Sequence, residues 1–253
     1  GCSVGYERAG FEVVGVDLRP QPHHRGGTFV QADALEYLAE HGHEFDAIHA
    51  SPPCQAHTSL RQLHPGKVYP DLIPATRAAL IATGKPYVIE NVPGAPLGGA
   101  NSYLLMLCGT MFGLVTPDGR AEIRRHRLFE TSWCFGLRPA CQHGQAQQTL
   151  PHMAAHGQPG LSHARRKVIC VAGGKAMSGG MMTPQGTLKR RAMSVTGNTP
   201  QTNTVRNTVR TTFSVDDARS AMGIPWMPIK SLSQAIPPAY THWLGTRLLK
   251  ALS

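Results

Sequence analysis

Short apolar runs alternate with amphipathic stretches through the first third of the chain. Residues 11–16 form one run, ending at Asp17, and Phe29-Val30-Gln31-Ala32 forms another, ending at Asp33. Phe45-Asp46-Ala47-Ile48-His49-Ala50 and Tyr87-Val88-Ile89-Glu90-Asn91 are two more. Rich in Val, Ile and aromatic residues and bounded by turn residues, these runs predict strands. The stretches between them repeat at helical spacing. Gly1-Cys2-Ser3-Val4-Gly5-Tyr6-Glu7-Arg8-Ala9-Gly10 reads as a glycine-rich turn entering a short helix. Residues 34–41 place Leu35 and Leu38 on one helical face, and residues 72–83 form a helix closed by Gly84. This alternation predicts an α/β fold, with βαβ units building a parallel sheet covered by helices. Ligands on such sheets bind beyond the carboxyl ends of the strands. Asp17, Cys54 and Glu90 all fall at those ends, so one cleft can receive all three.

The pattern changes between residues 134 and 210. Gly, Gln, Thr, His, Arg and Lys dominate there, and His163-Ala164-Arg165-Arg166-Lys167 and Leu188-Lys189-Arg190-Arg191 concentrate positive charge. Basic side chains can position a phosphate backbone, while Asn, Gln, Thr and Arg can read base edges. A solvated loop region or an irregular β subdomain is the competing reading. Helical spacing then returns with Val215, Ala218, Ala221 and Met222, and residues 239–249 read as a final amphipathic helix. The chain therefore divides into a first part (1–133), an insertion (134–210) and a return (211–253).

At 253 residues and 41% hydrophobic content the chain can bury a full core. Its net charge of +10 favours a polyanionic partner, nucleic acid ahead of an anionic membrane. No apolar run approaches the ~18 residues of a spanning helix, which argues against an integral membrane role. The six cysteines are scattered without a tight framework and read as reduced intracellular thiols. Cys134, Cys141, His143 and Cys170 come nearest to a zinc set. No closely spaced Cys or His pair among them has a matching second pair, so no metal is expected.

Four groups of residues carry candidate chemistry. Cys54 lies in Pro52-Pro53-Cys54-Gln55, a proline-defined loop directly after a strand. A nucleophilic thiol must be accessible and partly ionised, and a following helix terminus or a basic side chain could lower its pKa. An inert packed thiol is the alternative. Glu90, followed by Asn91, can hydrogen-bond the amidine edge of a base, and if partly desolvated can hold a proton for a ring nitrogen. A helix cap or surface ion pair competes. Ile123-Arg124-Arg125-His126-Arg127-Leu128-Phe129 reads as a strand whose Arg125 and Arg127 share a face toward a phosphate or base carbonyl. Asp17 is placed to accept hydrogen bonds from ribose hydroxyls, and Asp33 either contacts an adenine amino group or caps the helix after it.

Taken in order, these segments resemble the DNA cytosine-5 methyltransferase family. Pro53-Cys54-Gln55 is similar to its nucleophile motif and Glu90-Asn91-Val92 to its Glu-Asn-Val motif. Arg125-His126-Arg127 is similar to the arginines of its Gln-x-Arg-x-Arg motif, with Ile123 where Gln is usual. Ser214-Val215-Asp216-Asp217 through Gly223-Ile224-Pro225 resembles the segment supporting the family's target-recognition region. Ser233-Gln234-Ala235-Ile236-Pro237-Pro238 resembles Gly-Asn-Ala-Val-Pro-Pro, which closes the cofactor site.

The resemblance implies a Rossmann-like methyltransferase sheet, with residues 134–210 as a small target-recognition region. It implies S-adenosyl-L-methionine as cofactor, held by Gly1, Gly5, Asp17, Leu18, Asp33, Ala34, Pro52, Gln234 and Ala235. Cys54, Glu90, Arg125 and Arg127 would be catalytic. Gln55, Ser59, Arg165, Arg166, Lys189 and Arg190 would contact double-stranded DNA, with a mobile loop after Gln55 closing over it. A cytoplasmic monomer is implied, compatible with a cognate restriction endonuclease as companion. The same chemistry on transfer RNA, and an inactive, truncated DNA-binding protein, are the alternatives. One departure bears on the cofactor. The family opens with a strand and Asp-Leu-Phe-Cys-Gly-x-Gly-Gly, and this chain starts near the last glycine of that run. That strand lies mid-sheet, between the second and fourth, so its loss predicts two unpaired strand flanks, weak cofactor binding and a longer intact gene product.

Overall fold

The structure, a computed structural model, describes residues 1–58, 68–119, 121–143, 167–172, 191–196, 199–202 and 214–253. The fold is mixed α/β. It opens with α1 (Cys2–Ala9), β1 (Glu12–Asp17), β2 (Thr28–Gln31), α2 (Ala34–His41), β3 (Ala47–Ser51), α3 (Ile73–Ala82) and β4 (Tyr87–Asn91). Six strands follow: β5 (Tyr103–Leu107), β6 (Ala121–Ile123), β7 (Arg127–Thr131), β8 (Lys167–Ala172), β9 (Arg191–Thr196) and β10 (Thr199–Thr202). Three helices end the chain, α4 (Val215–Met222), α5 (Ile229–Leu232) and α6 (Pro238–Leu252).

Seven strands form one sheet in the order β2-β1-β8-β3-β4-β7-β5, and three form a second, β10-β9-β6. From β2 to β4 the large sheet is parallel; β7 runs antiparallel to both β4 and β5. The flanks expected to stand unpaired are filled. β8 comes from the 134–210 insertion, yet it pairs with β1 from Glu12↔Lys167 to Asp17↔Ala172 and with β3 from Ala47↔Val168 to Ser51↔Ala172. Val168-Ile169-Cys170-Val171-Ala172 is an uninterrupted apolar run, the signature of a strand covered on both faces.

Strand alternation sends side chains to two cores. Val88 joins Tyr6, Phe11, Val13, Phe129, Tyr240 and Leu244 under α1 and α6. Its neighbour Ile89 joins Val16, Leu38, Phe45, Ile48 and Leu80 under α2 and α3. α1 lies against α6 so closely that a Cβ on Gly5 would collide with the Thr241 hydroxyl and the Pro238 carbonyl. The helix stops at Gly10, whose φ of 106° is left-handed and costs a glycine little. A third core joins Ile123 of β6 to Ala218, Ala221 and Met222 of α4 and to Ile224 and Leu232. Ile123 therefore has a packing role. Ser214 and Asp217 form a reciprocal capping box at the start of α4. Among the described residues no helix is long and apolar enough to cross a membrane.

Candidate active site

β3 and β4 are parallel neighbours, in register at Ile48↔Tyr87, His49↔Val88 and Ala50↔Ile89. Their carboxyl ends release the Pro52-Pro53-Cys54 loop and the Glu90-Asn91 pair side by side. Two consecutive prolines fix φ and hold the first loop rigid. Asn91 is buried and ties the loops together: its Nδ2 donates to the Pro52 carbonyl at 3.0 Å. Its Oδ1 accepts the Val92 amide at 2.9 Å. Glu90 is buried, with Oε1 3.1 Å from Arg127 Nε and a further hydrogen bond to the Ser51 side chain.

Arg125 and Arg127 do not share one continuous strand. β6 ends at Ile123, β7 begins at Arg127, and the two belong to different sheets. The bend at 124–126 gives the arginines different anchors. Arg127 pairs with Glu90, while buried Arg125 donates through Nη2 to the Ser233 carbonyl at 2.5 Å. The Tyr240 hydroxyl donates to the Arg125 carbonyl. Both guanidinium groups, with Glu90, still act electrostatically on Cys54, so the four catalytic candidates form one cluster.

Burial is the largest influence on each of these groups. It pushes the Cys54 thiol up, and Glu90 pushes it further, against the opposing pull of Arg127 and Arg125. Both cations pull the thiol down, as basic side chains beside the loop can, but burial and Glu90 together outweigh them. Burial also raises the Glu90 carboxyl, opposed by Arg127, Ser51 and Arg125. Arg125 is lowered to about 9 by burial and by Arg127. The resting cluster thus disfavours the Cys54 thiolate and holds the Glu90 carboxyl above its usual range.

At the neighbouring strand ends, the Asp17 carboxylate accepts the Arg19 amide at 2.9 Å and the Gln21 side-chain amide at 3.0 Å. Leu18, beside it, is 61% exposed at the end of β1. The Asp17 carbonyl also accepts the Ala32 amide at 3.2 Å, drawing the ends of β1 and β2 together. Asp33 is the N-cap of α2, with Oδ1 accepting the Leu35 and Glu36 amides at 2.9 and 3.2 Å, and Ala34 opens that helix. A carboxylate at one strand end with an exposed leucine beside it fits the ribose and base of a nucleoside. Gly5 is a helix-packing glycine. Gly1 sits where a Cβ would strike the Ile236 carbonyl, beside Gln234 and Ala235, whose segment is docked on Arg125 through Ser233.

Gln55 occupies the turn after Cys54, where the His57 amide donates to the Cys54 carbonyl at 2.9 Å. His57 Nε2 lies 3.0 Å from Asp71 Oδ1. Ser59, Arg165, Arg166, Lys189 and Arg190 lie outside the described residues.

One polar residue escaped the sequence reading, and a set named there gathers with different members. His49 is buried in β3, with Nδ1 2.9 Å from the Tyr6 hydroxyl and Nε2 3.3 Å from the Ser51 hydroxyl, so it backs the Glu90 partner. A histidine inside an apolar strand was the available signal. Cys141 and His143 gather with Cys108 and His126, and Cys134 is not part of that group. Comparison with protein-family models, with curated proteins and with solved structures finds no match.

Proposed function

We propose that the chain is an S-adenosylmethionine-dependent DNA cytosine-5 methyltransferase whose nucleophile is Cys54. The observation that carries the reading is the cluster itself. A thiol, a buried carboxyl group and two guanidinium groups meet at the carboxyl ends of adjacent parallel strands, in the family's chain order. The sheet supports it. From β8, chain order runs outward through β1 and β2 on one side and through β3 and β4 on the other. Such a reversal opens a ligand crevice at the strand ends. The net charge of +10 suits a phosphate backbone.

Cytosine C5 is a poor nucleophile, and C6 is out of reach in stacked DNA, so the base is flipped into the cleft. Cys54 adds to C6, and this addition makes C5 electron-rich. Glu90 in its protonated form donates to N3 and accepts from the 4-amino group. Arg127 holds Glu90 and approaches the base O2, and Arg125 holds the closing 233–238 segment. S-Adenosylmethionine, when bound, supplies an electrophilic methyl group for C5. Asp17, Leu18, Asp33 and Ala34 would hold its nucleoside, and Pro52, Gln234 and Ala235 the opposite end. Loss of the C5 proton and elimination of Cys54 release the product.

Duplex DNA carrying 5-fluorocytosine tests this, because fluorine at C5 blocks the final elimination. With the cofactor present, a covalent adduct that survives denaturation is expected, retained in Cys134→Ser and lost in Cys54→Ser. No adduct with duplex DNA overturns the assignment, and an adduct only with transfer RNA moves the substrate to RNA.

A further inference from the structure

Four side chains from three separate segments converge at the bend between Arg125 and Arg127. Cys108 follows β5 and His126 precedes β7. The antiparallel register of those strands, ending at Leu107↔Arg127, brings Cys108 and His126 opposite one another at the next position. Cys141 and His143 arrive from the chain beyond β7. Cys141 Sγ lies 2.8 Å from His143 Nε2 and 3.6 Å from His126 Nε2. Cys108 Sγ lies 3.3 Å from the same His143 nitrogen. All four ligand atoms fall within 4.8 Å of one another. The two imidazoles stand at 83° with centroids 5.0 Å apart, so neither ring stacks over the other and blocks a shared centre.

We propose that Cys108, His126, Cys141 and His143 bind one zinc ion in a closed Cys2His2 site. Tetrahedral zinc, with Zn–S of about 2.3 Å and Zn–N of about 2.0–2.1 Å, separates sulfur from nitrogen by about 3.6 Å. The observed separations, 2.8, 3.3 and 3.6 Å, run up to that value. Two thiolates and two imidazoles around a divalent ion make a neutral centre, and the donor set is the soft mixed type zinc accepts. The surroundings match. The Thr110 hydroxyl lies 3.3 Å from Cys108 Sγ and 3.6 Å from Cys141 Sγ, bridging the sulfurs, and accepts the Gln142 amide at 3.3 Å. Arg124, the nearest cation in the bend, is neutralised by Glu122 at 2.6 Å. Four protein ligands leave no open position, so the ion is structural. It clips the turn after β5, the bend before β7 and residues 141–143 into one unit. Its role in holding the arginines rests on the reading of Cys54 chemistry; the metal site itself does not.

Metal analysis of the full chain, purified without added metal and desalted, tests the site. About one zinc per chain is expected. Cys134→Ser should retain it, while Cys141→Ser and His143→Ala should lose it. Because those variants can misfold, wild-type protein carries two more measurements. Titration with an organomercurial should release the zinc, and cobalt replacement should give the intense visible bands of tetrahedral thiolate coordination. A metal-free wild-type chain overturns the proposal, as does zinc retained by both variants. An intact mass two hydrogens low, reporting a Cys108–Cys141 disulfide in place of metal, also overturns it. The 5-fluorocytosine adduct is read separately, so either proposal can fail while the other stands.

Discussion

Asn91 donates its side-chain amide to the carbonyl of Pro52 at 3.0 Å, and this bond joins the strand end that carries Glu90 to the loop that carries Cys54. Asn91 is 1% exposed, so neither group can turn to bulk water if the other is removed. A buried carbonyl left without its donor costs about 1–3 kcal/mol. Asn91→Ala should lower stability by that amount in urea denaturation. It should also depress formation of the 5-fluorocytosine adduct beyond what the loss of folded protein explains. Normal adduct formation by the folded fraction would separate Asn91 from the positioning of Cys54.

Cys54 and Glu90 titrate against each other. After burial, the Glu90 carboxylate is the next influence raising the Cys54 thiol, and Arg127 leads the opposing side. Glu90→Gln removes the negative charge at nearly constant shape. The pH midpoint for alkylation of Cys54 by iodoacetamide, followed by peptide mass spectrometry, should therefore move down. Arg127→Gln should move it up. Opposite movements, or no movement in either variant, would dissociate the pair. The same coupling suits the proposed reaction, because a proton on Glu90 relieves the thiol of that repulsion.

A second carboxylate in the sheet has a purely structural partner. Glu130 is fully buried, and Arg77 grips it through Nε at 2.8 Å and Nη2 at 2.7 Å, while the Gly98 amide donates at 2.7 Å. This pair fastens β7 to α3 and to the loop before β5. Removing one member of a buried pair leaves an uncompensated charge and costs about 3–5 kcal/mol. Arg77→Met should approach that loss in chemical denaturation. The double variant Arg77→Met with Glu130→Gln should recover part of it. A double variant no more stable than the single one would contradict the pairing argument.

Local signals were legible in the sequence, and long-range pairings were not. The helix read over residues 34–41 and the strand read over 87–91 are found with those bounds. Asp33 caps the first and turns bound the second, and both signals lie within a few residues of the element. β8 carries an equally clear apolar run, but its neighbours β1 and β3 lie more than a hundred residues away and nothing local names them. The 123–129 segment alternates like one strand. Its division between two sheets depends on distant partners, β9 for β6 and β4 for β7. Cys141-Gln142-His143 is half of a ligand set, and the other half is supplied by strand register. The direction of the thiol pKa was not legible, because charge is visible in a sequence and burial is not.

His49 links the core to the catalytic cluster, and acid should expose that link. Burial holds its imidazole down to about 3, against 6.5 when solvated, so it is neutral in the folded protein. It joins the Tyr6 hydroxyl on one side to Ser51 on the other, and Ser51 hydrogen-bonds Glu90. Between these two pKa values the unfolded chain binds a proton that the folded chain does not. The contribution is therefore complete above pH 6.5 and is lost as pH falls toward 3, at up to about 1.4 kcal/mol per pH unit. Other histidines and the Arg77-bound carboxylate add slopes of the same sign, so the difference between two proteins is the informative quantity. His49→Gln removes the proton and keeps polar atoms at the site. Urea denaturation of both proteins from pH 4.5 to 7 should show a shallower slope for the variant. Parallel slopes would mean that His49 titrates in the folded protein much as it does in water, and that its hydrogen bonds to Tyr6 and Ser51 do not hold it neutral.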